Sequence, residues 1–189
     1  MPPVTELAQS QAGLTYRLRR GQPRGGLIVM LHGLSGDENA MWIFDHALPR
    51  EATAIAPRAL YASAFGGASW ARSVVRDDLD DADFQEALEV LARFMAEVIA
   101  LYPIDPRRVI VMGFSQGAAL SYAYSLRHPE SLRGVIALAG FLPTNTPAGT
   151  RASSQLAYLI LHGTHDEAVP IERAREARSV LEGRGASVE

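Results

Sequence analysis

The sequence predicts an α/β protein with a mostly parallel central sheet and helices on both faces. Strand-like and helix-like segments alternate along most of the 189 residues, which is typical of parallel strands joined by helices. The continuously apolar run Leu27–Leu31 indicates a strand that is covered on both faces. Apolar residues three and four apart from Phe84 to Ile99 indicate an amphipathic helix. We therefore expect one α/β domain over residues 1–189.

The predicted strands occur at regular intervals. Thr15–Arg20 alternates polar and apolar residues, which predicts a half-exposed edge strand. Apolar, β-branched or alanine-rich composition predicts the other strands, Leu27–Leu31, Ala52–Ala56, Val109–Met112, Gly134–Leu138 and Leu156–Leu161.

Helices and loops fill the intervals between these strands. Helical spacing predicts helices from Phe84 to about Tyr102, over Ala118–Leu126 and over Glu172–Leu181. Two segments, Ala62–Ser69 and Pro143–Ser154, are predicted loops near the end of the sheet where Ser115 emerges.

Composition excludes several classes of function. With 48% apolar and 21% charged residues the chain has the composition of a soluble globular protein, and its net charge of −3 gives no attraction for nucleic acid or an anionic membrane. The absence of cysteine excludes disulfides, thiolate metal ligands and a cysteine nucleophile. The N-terminus has no signal-peptide pattern, and apolar runs are too short to span a membrane. We expect a cytoplasmic location.

The segment Gly113–Gly117, with sequence Gly-Phe-Ser-Gln-Gly, is the strongest indication of chemistry. It follows a predicted strand and precedes a predicted helix, which is the context of a nucleophile elbow. Glycines two places either side of Ser115 permit the tight turn. Ser115 is the predicted nucleophile, and the Gln116 N–H is the predicted first oxyanion donor. The alternative is an ordinary turn that contains a serine.

Two further segments supply candidate partners for Ser115. Asp166 follows the strand Leu156–Leu161 and would lie at the same sheet end, as the acid of a triad. Its alternative role is a turn or helix-capping aspartate before Pro170. The glycine-containing loop Leu31–Asp37 would place the Leu34 N–H as second oxyanion donor, unless it is only a glycine-rich turn.

Three motifs in order, Leu31–Asp37, Gly113–Ala118 and Leu161–Pro170, resemble those of the phospholipase/carboxylesterase family, which includes acyl-protein thioesterases and small bacterial carboxylesterases. The resemblance implies an α/β-hydrolase fold and cleavage of esters or thioesters of short to medium acyl chains, without a cofactor. No pair of histidines has the i, i+4 spacing of a zinc site, so no metal is expected. The resemblance implies the same roles for Ser115, Asp166, Leu34 and Gln116. It also implies that Trp70 lines the substrate site, although a tryptophan there could simply pack in the core.

The base of this mechanism is not identified by the sequence. The family's chain order is Ser, Asp, His, whereas all five histidines precede Asp166, namely His32, His46, His128, His162 and His165. His32 lies inside the oxyanion motif, which favours an orienting role. Gly185–Glu189 resembles the start of one further strand. We therefore expect the C-terminal strand, the base histidine and the closing helix of the fold to be missing here and the reading frame to continue.

Other interpretations stay open at this stage. The acidic run Asp77–Asp83 could suggest a divalent cation, but a solvated helix start with an Asp83/Glu86 capping box explains it better. Within enzymes, a thioesterase acting on acylated protein or a lysophospholipase is the rival of a carboxylesterase. A non-catalytic binding protein that keeps the fold but lacks the base is the rival from another class. The expected partner is a small acyl ester, and a homodimer is compatible with the sequence.

Overall fold

The structure is a computed structural model that describes residues 5–72, 79–147 and 156–189. Eight strands form the central sheet in the order β1-β2-β4-β3-β7-β8-β9-β10, and two short strands, β5 and β6, form a separate hairpin. The strands are β1 (Glu6–Gln9), β2 (Thr15–Arg19), β3 (Gly25–Leu31), β4 (Thr53–Pro57), β5 (Tyr61–Ala62), β6 (Ala68–Ser69), β7 (Ile104–Phe114), β8 (Gly134–Leu138), β9 (Ala157–Leu161) and β10 (Ser187–Val188).

The sheet is mostly parallel, as predicted. From β4 to β10 every neighbouring pair is parallel, whereas β2 is antiparallel to both β1 and β4. The prediction that Thr15–Arg20 forms an edge strand is wrong, because β1 covers β2 on its outer side. Polar and apolar residues alternate along β2 because one of its faces, with Tyr16 and Leu18, points into the core. The four-residue strand β1 (Glu-Leu-Ala-Gln) is too short and lacks the alternation that could have predicted it.

Three α-helices pack on one face of the sheet: α1 (Gln85–Leu101), α2 (Gln116–Arg127) and α3 (Ile171–Gly183). The predicted apolar stripe of α1 is buried, and all three helices contribute to the larger core cluster. A 3-10 helix, Ala40–Ala47, covers part of the opposite face, where Met41 joins the second cluster with Met30. Both faces therefore carry helical structure, although the second is covered by a short 3-10 helix.

The carboxyl ends of β3, β7, β8 and β9 meet at one edge of the sheet, because these strands are parallel neighbours. Three non-glycine residues just beyond these ends have positive φ: Ser35 (66°), Ser115 (51°) and Ala139 (47°). Such backbone conformations cost free energy and concentrate at functional sites. This edge of the sheet is therefore the candidate location of a functional site.

The two predicted loops have different outcomes. The segment Ala62–Ser69 contains the hairpin β5–β6, whose strands pair antiparallel. The segment Pro143–Ser154 has no strand or helix in its described part, and residues 148–154 lie outside the described ranges. The predicted strand start near Gly185–Glu189 is observed as β10, which pairs parallel with β9.

Candidate active site

Ser115 lies at the sharp turn between β7 and α2. Its φ of 51° and ψ of −116° are those of a strained residue that caps the helix, and its N–H donates to the Leu138 carbonyl at 2.9 Å. A Cβ on Gly113 would lie 2.3 Å from the Gly117 carbonyl oxygen, and one on Gly117 would lie 2.1 Å from the Leu31 carbonyl oxygen. Only glycine fits at both places, so the strand–turn–helix context is as the sequence predicts.

The side chain of Ser115 is available for reaction. The residue is half-buried, and its Oγ makes no hydrogen bond with any described residue. The Gln116 N–H is in the first turn of α2, where N–H groups have no intrahelical acceptor and carry the positive end of the helix dipole. These two groups come from adjacent residues, which is the arrangement of a nucleophile beside an oxyanion donor.

The loop after β3 lies against the elbow. A Cβ on Gly33 would come within 3.3 Å of the Ser115 Cβ and 3.0 Å of the Phe114 ring. The next residue is Leu34, whose N–H finds no acceptor within the described ranges. Further along, Ser35 N–H donates to the Ala68 carbonyl at 2.9 Å, and Ala68 N–H donates to the Gly36 carbonyl at 2.8 Å. The hairpin β5–β6 thus fixes the loop, while the Leu34 N–H has no partner among the described residues.

His32 is a structural residue of this loop. It is 1% exposed, its Nε2 accepts from the Ala59 N–H at 3.0 Å, and its Nδ1 lies 2.7 Å from the Gly33 carbonyl oxygen. Because Nε2 accepts, Nδ1 carries the proton and donates it to Gly33. Burial lowers the pKa of the imidazole and favours this neutral form. Both ring nitrogens are occupied, which fits the orienting role and leaves none for Ser115.

Trp70 was predicted to line the substrate site, but the structure places it behind the oxyanion loop. Its side chain is 0% exposed, and its ring centroid lies 5.3 Å from that of His32. The indole Nε1–H donates to the His32 carbonyl oxygen at 2.9 Å. The Trp70 backbone N–H donates to the side-chain Oε1 of Gln116 at 2.8 Å. Trp70 therefore contacts the protein's own site-forming loops and has no surface to offer a ligand.

Asp166 lies in the turn after β9. Its Oδ1 accepts hydrogen bonds from the N–H groups of Ala168 and Val169, both at 2.9 Å. The bond from Val169, with that from Ala168, lowers the pKa of the carboxyl group against a smaller opposing effect of burial, so the group is ionised at neutral pH. Its Oδ2 makes no hydrogen bond to a described residue, and His162 Nε2 lies 3.7 Å away. One oxygen serves the turn, while the other makes no hydrogen bond within the described part of the chain.

The other four histidines are also placed by the structure. His162 Nε2 donates to the Val169 carbonyl oxygen at 2.7 Å, while its Nδ1 is buried and has no hydrogen-bond partner in the described ranges. The remaining three lie on surfaces or helix ends and contact their sequence neighbours: His46 at the Ile43 carbonyl, His128 against the Tyr124 ring and His165 at the Thr164 hydroxyl. None of the five makes a hydrogen bond with Ser115.

The acidic run forms a helix start, although its capping pair differs from the predicted one. Asp80 and Asp83 exchange hydrogen bonds, each carboxylate accepting the other's N–H at 2.9 and 3.1 Å. Glu86, the expected partner of Asp83, binds Arg72 and Tyr61 instead. Asp77 and Asp78 lie outside the described residues. Within the described ranges, no three potential metal ligands come close enough together to hold an ion.

The chain resembles known hydrolases over most of its length. The sequence profile of the phospholipase/carboxylesterase family matches residues 19–188. Acyl-protein thioesterase 1 of Kluyveromyces lactis is 29% identical over 184 residues, covering 86% of this chain and 79% of that protein. A probable inactive carboxylesterase of Oryza sativa subsp. japonica is 34% identical over 113 residues, covering 58% of this chain but only 46% of that protein.

Solved structures agree on the fold. The carboxylesterase of Mesorhizobium loti superposes with a TM-score of 0.86 at 22% identity, covering 98% of this chain and 87% of that one. The Bacillus cereus carboxylesterase gives a TM-score of 0.84 at 21% identity, covering 96% and 85%. The fold is that of these α/β-hydrolases. No helix in the described part of the chain has the length and apolar character needed to cross a membrane.

Proposed function

The chain belongs to the phospholipase/carboxylesterase family, and we propose that it is a serine hydrolase that cleaves carboxylic esters of short to medium acyl chains. The observation that carries the proposal is that the elbow at Ser115 and the loop after β3 lie next to each other. Strained Ser115 has an Oγ that makes no hydrogen bond with a described residue, and a Cβ on Gly33 would lie 3.3 Å from the Ser115 Cβ. A nucleophile beside unpaired N–H groups is the arrangement that acyl transfer requires.

The reaction follows from these positions. Ser115 Oγ attacks the acyl carbonyl carbon and passes its proton to a base, and the carbonyl oxygen becomes an oxyanion. The N–H groups of Leu34 and Gln116 stabilise that charge. Collapse expels the alcohol, which takes the proton from the base and leaves the acyl group on Ser115. Water then attacks the acyl-enzyme in the same way, releasing the acid and restoring the serine.

The base is expected to be an imidazole held by Asp166. The carboxylate is ionised and its Oδ2 accepts no hydrogen bond from a described residue, so it can orient an imidazole and stabilise its charged form. His32 is committed to Ala59 and Gly33, and the family's chain order places the base after Asp166. We expect it beside Asp166 Oδ2.

The direct test is Ser115→Ala in the full-length gene product. Every covalent step passes through the Ser115 Oγ, so kcat on a p-nitrophenyl ester of a short acid should fall by roughly 10⁶-fold, as for other catalytic serines. A fluorophosphonate probe should label the parent and not the variant. Folding should survive because the side chain is small and its Oγ holds no described partner.

Ser121→Ala is the matched control. Ser121 lies in the same helix and donates to the Gly117 carbonyl at 2.7 Å, so its loss tests the helix without the nucleophile. This variant should keep labelling and most of its turnover. If Ser115→Ala retains near-parental turnover, Ser115 is not the nucleophile and the proposal fails.

Two other functions have specific support. The named activity of the Kluyveromyces lactis relative favours a thioesterase, which would show higher kcat/KM on an acyl thioester than on the matching oxygen ester. The probable inactive rice relative favours a non-catalytic protein. That function predicts that the full-length product neither hydrolyses esters nor reacts with fluorophosphonate.

A further inference from the structure

We propose that the side chains of Trp70, Gln116 and His32 act together as positioning residues that hold the two oxyanion donors in one rigid frame. The inference rests on the proposed function, since it concerns how the Leu34 and Gln116 N–H groups are aimed. It assigns Trp70 a role in turnover without contact to substrate.

The first link joins the elbow to the strand β6. The Gln116 side chain is buried, and its Oε1 accepts the Trp70 backbone N–H at 2.8 Å. Its Nε2 donates to Ser69 Oγ at 3.1 Å, and the Ser69 hydroxyl donates to the Ala71 carbonyl at 2.6 Å. Both ends of the carboxamide are therefore bonded. Since the side chain and the oxyanion N–H belong to the same residue, fixing one restrains the other.

The second link joins Trp70 to the oxyanion loop. The indole Nε1–H donates to the His32 carbonyl oxygen at 2.9 Å. Trp70 is 0% exposed, so water cannot replace this bond, and a buried carbonyl that loses its donor destabilises the loop that carries it. The indole thus anchors the backbone two residues before Leu34.

The third link reaches the peptide that carries the second donor. His32 Nδ1–H donates to the Gly33 carbonyl oxygen at 2.7 Å. That carbonyl and the Leu34 N–H belong to one planar trans peptide, so their directions are opposed. Holding the Gly33 oxygen on the imidazole therefore aims the Leu34 N–H away from His32. A Cβ on Gly33 would lie 3.3 Å from the Ser115 Cβ, which puts this peptide beside the nucleophile.

Together the links form a continuous buried path from one oxyanion donor to the other. It runs through the Gln116 carboxamide, Trp70, the His32 backbone and the His32 ring. Oxyanion donors act because they are already in place when charge develops. A loosened frame should therefore reduce kcat while ground-state binding, measured by KM, changes little.

The test compares Trp70→Phe with Tyr16→Phe. Each change removes a polar group that makes a side-chain hydrogen bond from a buried aromatic residue, and Trp70→Phe also replaces the indole with a smaller ring. Tyr16, whose hydroxyl bonds to that of Tyr102 at 2.8 Å, lies on β2 away from the site. We expect Trp70→Phe to lower kcat by about 10- to 100-fold, the range that a small misplacement produces. KM should stay within about 2-fold of the parent. Affinity for a trifluoromethyl ketone, which forms an oxyanion on Ser115, should fall in parallel, whereas Tyr16→Phe should change neither.

A second variant keeps the test decisive if Trp70→Phe does not fold. Gln116→Met keeps the length of the side chain but removes both bonds, and it should lower kcat by a similar factor. In a double variant that folds, the two losses should be less than additive because they break one path.

Folded variants with the kcat and ketone affinity of Tyr16→Phe would overturn the inference. An inactive Ser115→Ala beside a fully active Trp70→Phe rejects only the positioning frame. A fully active Ser115→Ala rejects the proposed function itself.

Discussion

The two sides of the candidate site are built differently. On the oxyanion side, Trp70 bonds to Gln116 across 46 positions of sequence and to His32 across 38. On the acid side, the Asp166 carboxylate accepts hydrogen bonds from N–H groups two and three residues ahead. The first is a buried assembly of distant segments, whereas the second is a half-exposed turn that its own sequence closes.

Because of this difference, a mutation should affect activity and stability differently on the two sides. Long-range buried bonds form only when the sheet and its connections are in place, so a change there alters both geometry and packing. A local turn depends little on the rest of the core, so a change in its charge can remove function without disturbing the fold. Mutation should therefore separate function from stability more cleanly on the acid side.

The largest effect that sharpens this contrast is expected from Asp166→Asn. The amide oxygen can still accept from Ala168 and Val169, so the turn should persist, but the charge that stabilises an imidazolium is lost. The kcat of the full-length product should fall by about 10⁴-fold, as in a serine protease with the same change, with little change in the midpoint of urea unfolding.

Asp105→Asn is the control for this variant. Asp105 accepts the Arg107 N–H two residues ahead at 3.0 Å, and its side-chain bonds to Arg107 lower its pKa to about 2. It lies near the start of β7, at the opposite end from Ser115, and its replacement should leave kcat unchanged. An Asp166→Asn enzyme as active as Asp105→Asn would exclude Asp166 from the triad.

A smaller loss is expected from Gly33→Val on the oxyanion side. The added Cβ would meet Phe114 at 3.0 Å and Ser115 at 3.3 Å, so the loop must shift and re-aim the Leu34 N–H. Losing one oxyanion donor costs on the order of 3 kcal/mol, or roughly 10²-fold in kcat. Unlike Asp166→Asn, this variant should also lower the unfolding midpoint.

The same substitution at Gly183 provides its control, because a Cβ there meets nothing within 4 Å. Gly183→Val should leave kcat at the parental value. Equal kcat for the two valine variants, both folded, would contradict the oxyanion role of the loop.

The smallest expected effect is on how the free energy of unfolding changes with pH, which should differ between His32 on the oxyanion side and Asp166 on the acid side. Burial lowers the pKa of His32 below its ordinary value of 6.5, so the unfolded chain takes up a proton at a pH where the folded chain does not. The free energy of unfolding should therefore decrease as pH falls below about 6.5, by at most about 1.4 kcal/mol per pH unit from this group. The pKa of Asp166 is lowered too, so its contribution is complete above about 3.9 and is lost only in stronger acid.

Urea unfolding at pH 7 and pH 5 measures this difference. His32→Asn should reduce the loss of stability between the two values, and Asp166→Asn should not. His128, whose pKa is also lowered by burial, should account for part of the slope that remains. If His32→Asn loses as much unfolding free energy between pH 7 and pH 5 as the parent does, then the fold does not hold His32 neutral.

Much of the fold and of the site follows from local pattern. Apolar runs predicted β3, β4, β7, β8 and β9, and spacing predicted the three α-helices, because each element's own residues encode its period. The elbow also follows from local sequence, since the backbone leaves no room for a Cβ at Gly113 or Gly117. The motifs also gave the family.

What the sequence could not determine depends on partners far along the chain. Whether β2 is an edge strand was decided by β1, a polar segment whose own residues give no sign of pairing. Whether Trp70 faces a ligand or the core was decided by His32 and Gln116, since an aromatic side chain suits either position. Periodicity records which side of an element is apolar. Only the tertiary structure decides what that side meets, because the contact belongs to two segments and neither encodes it alone.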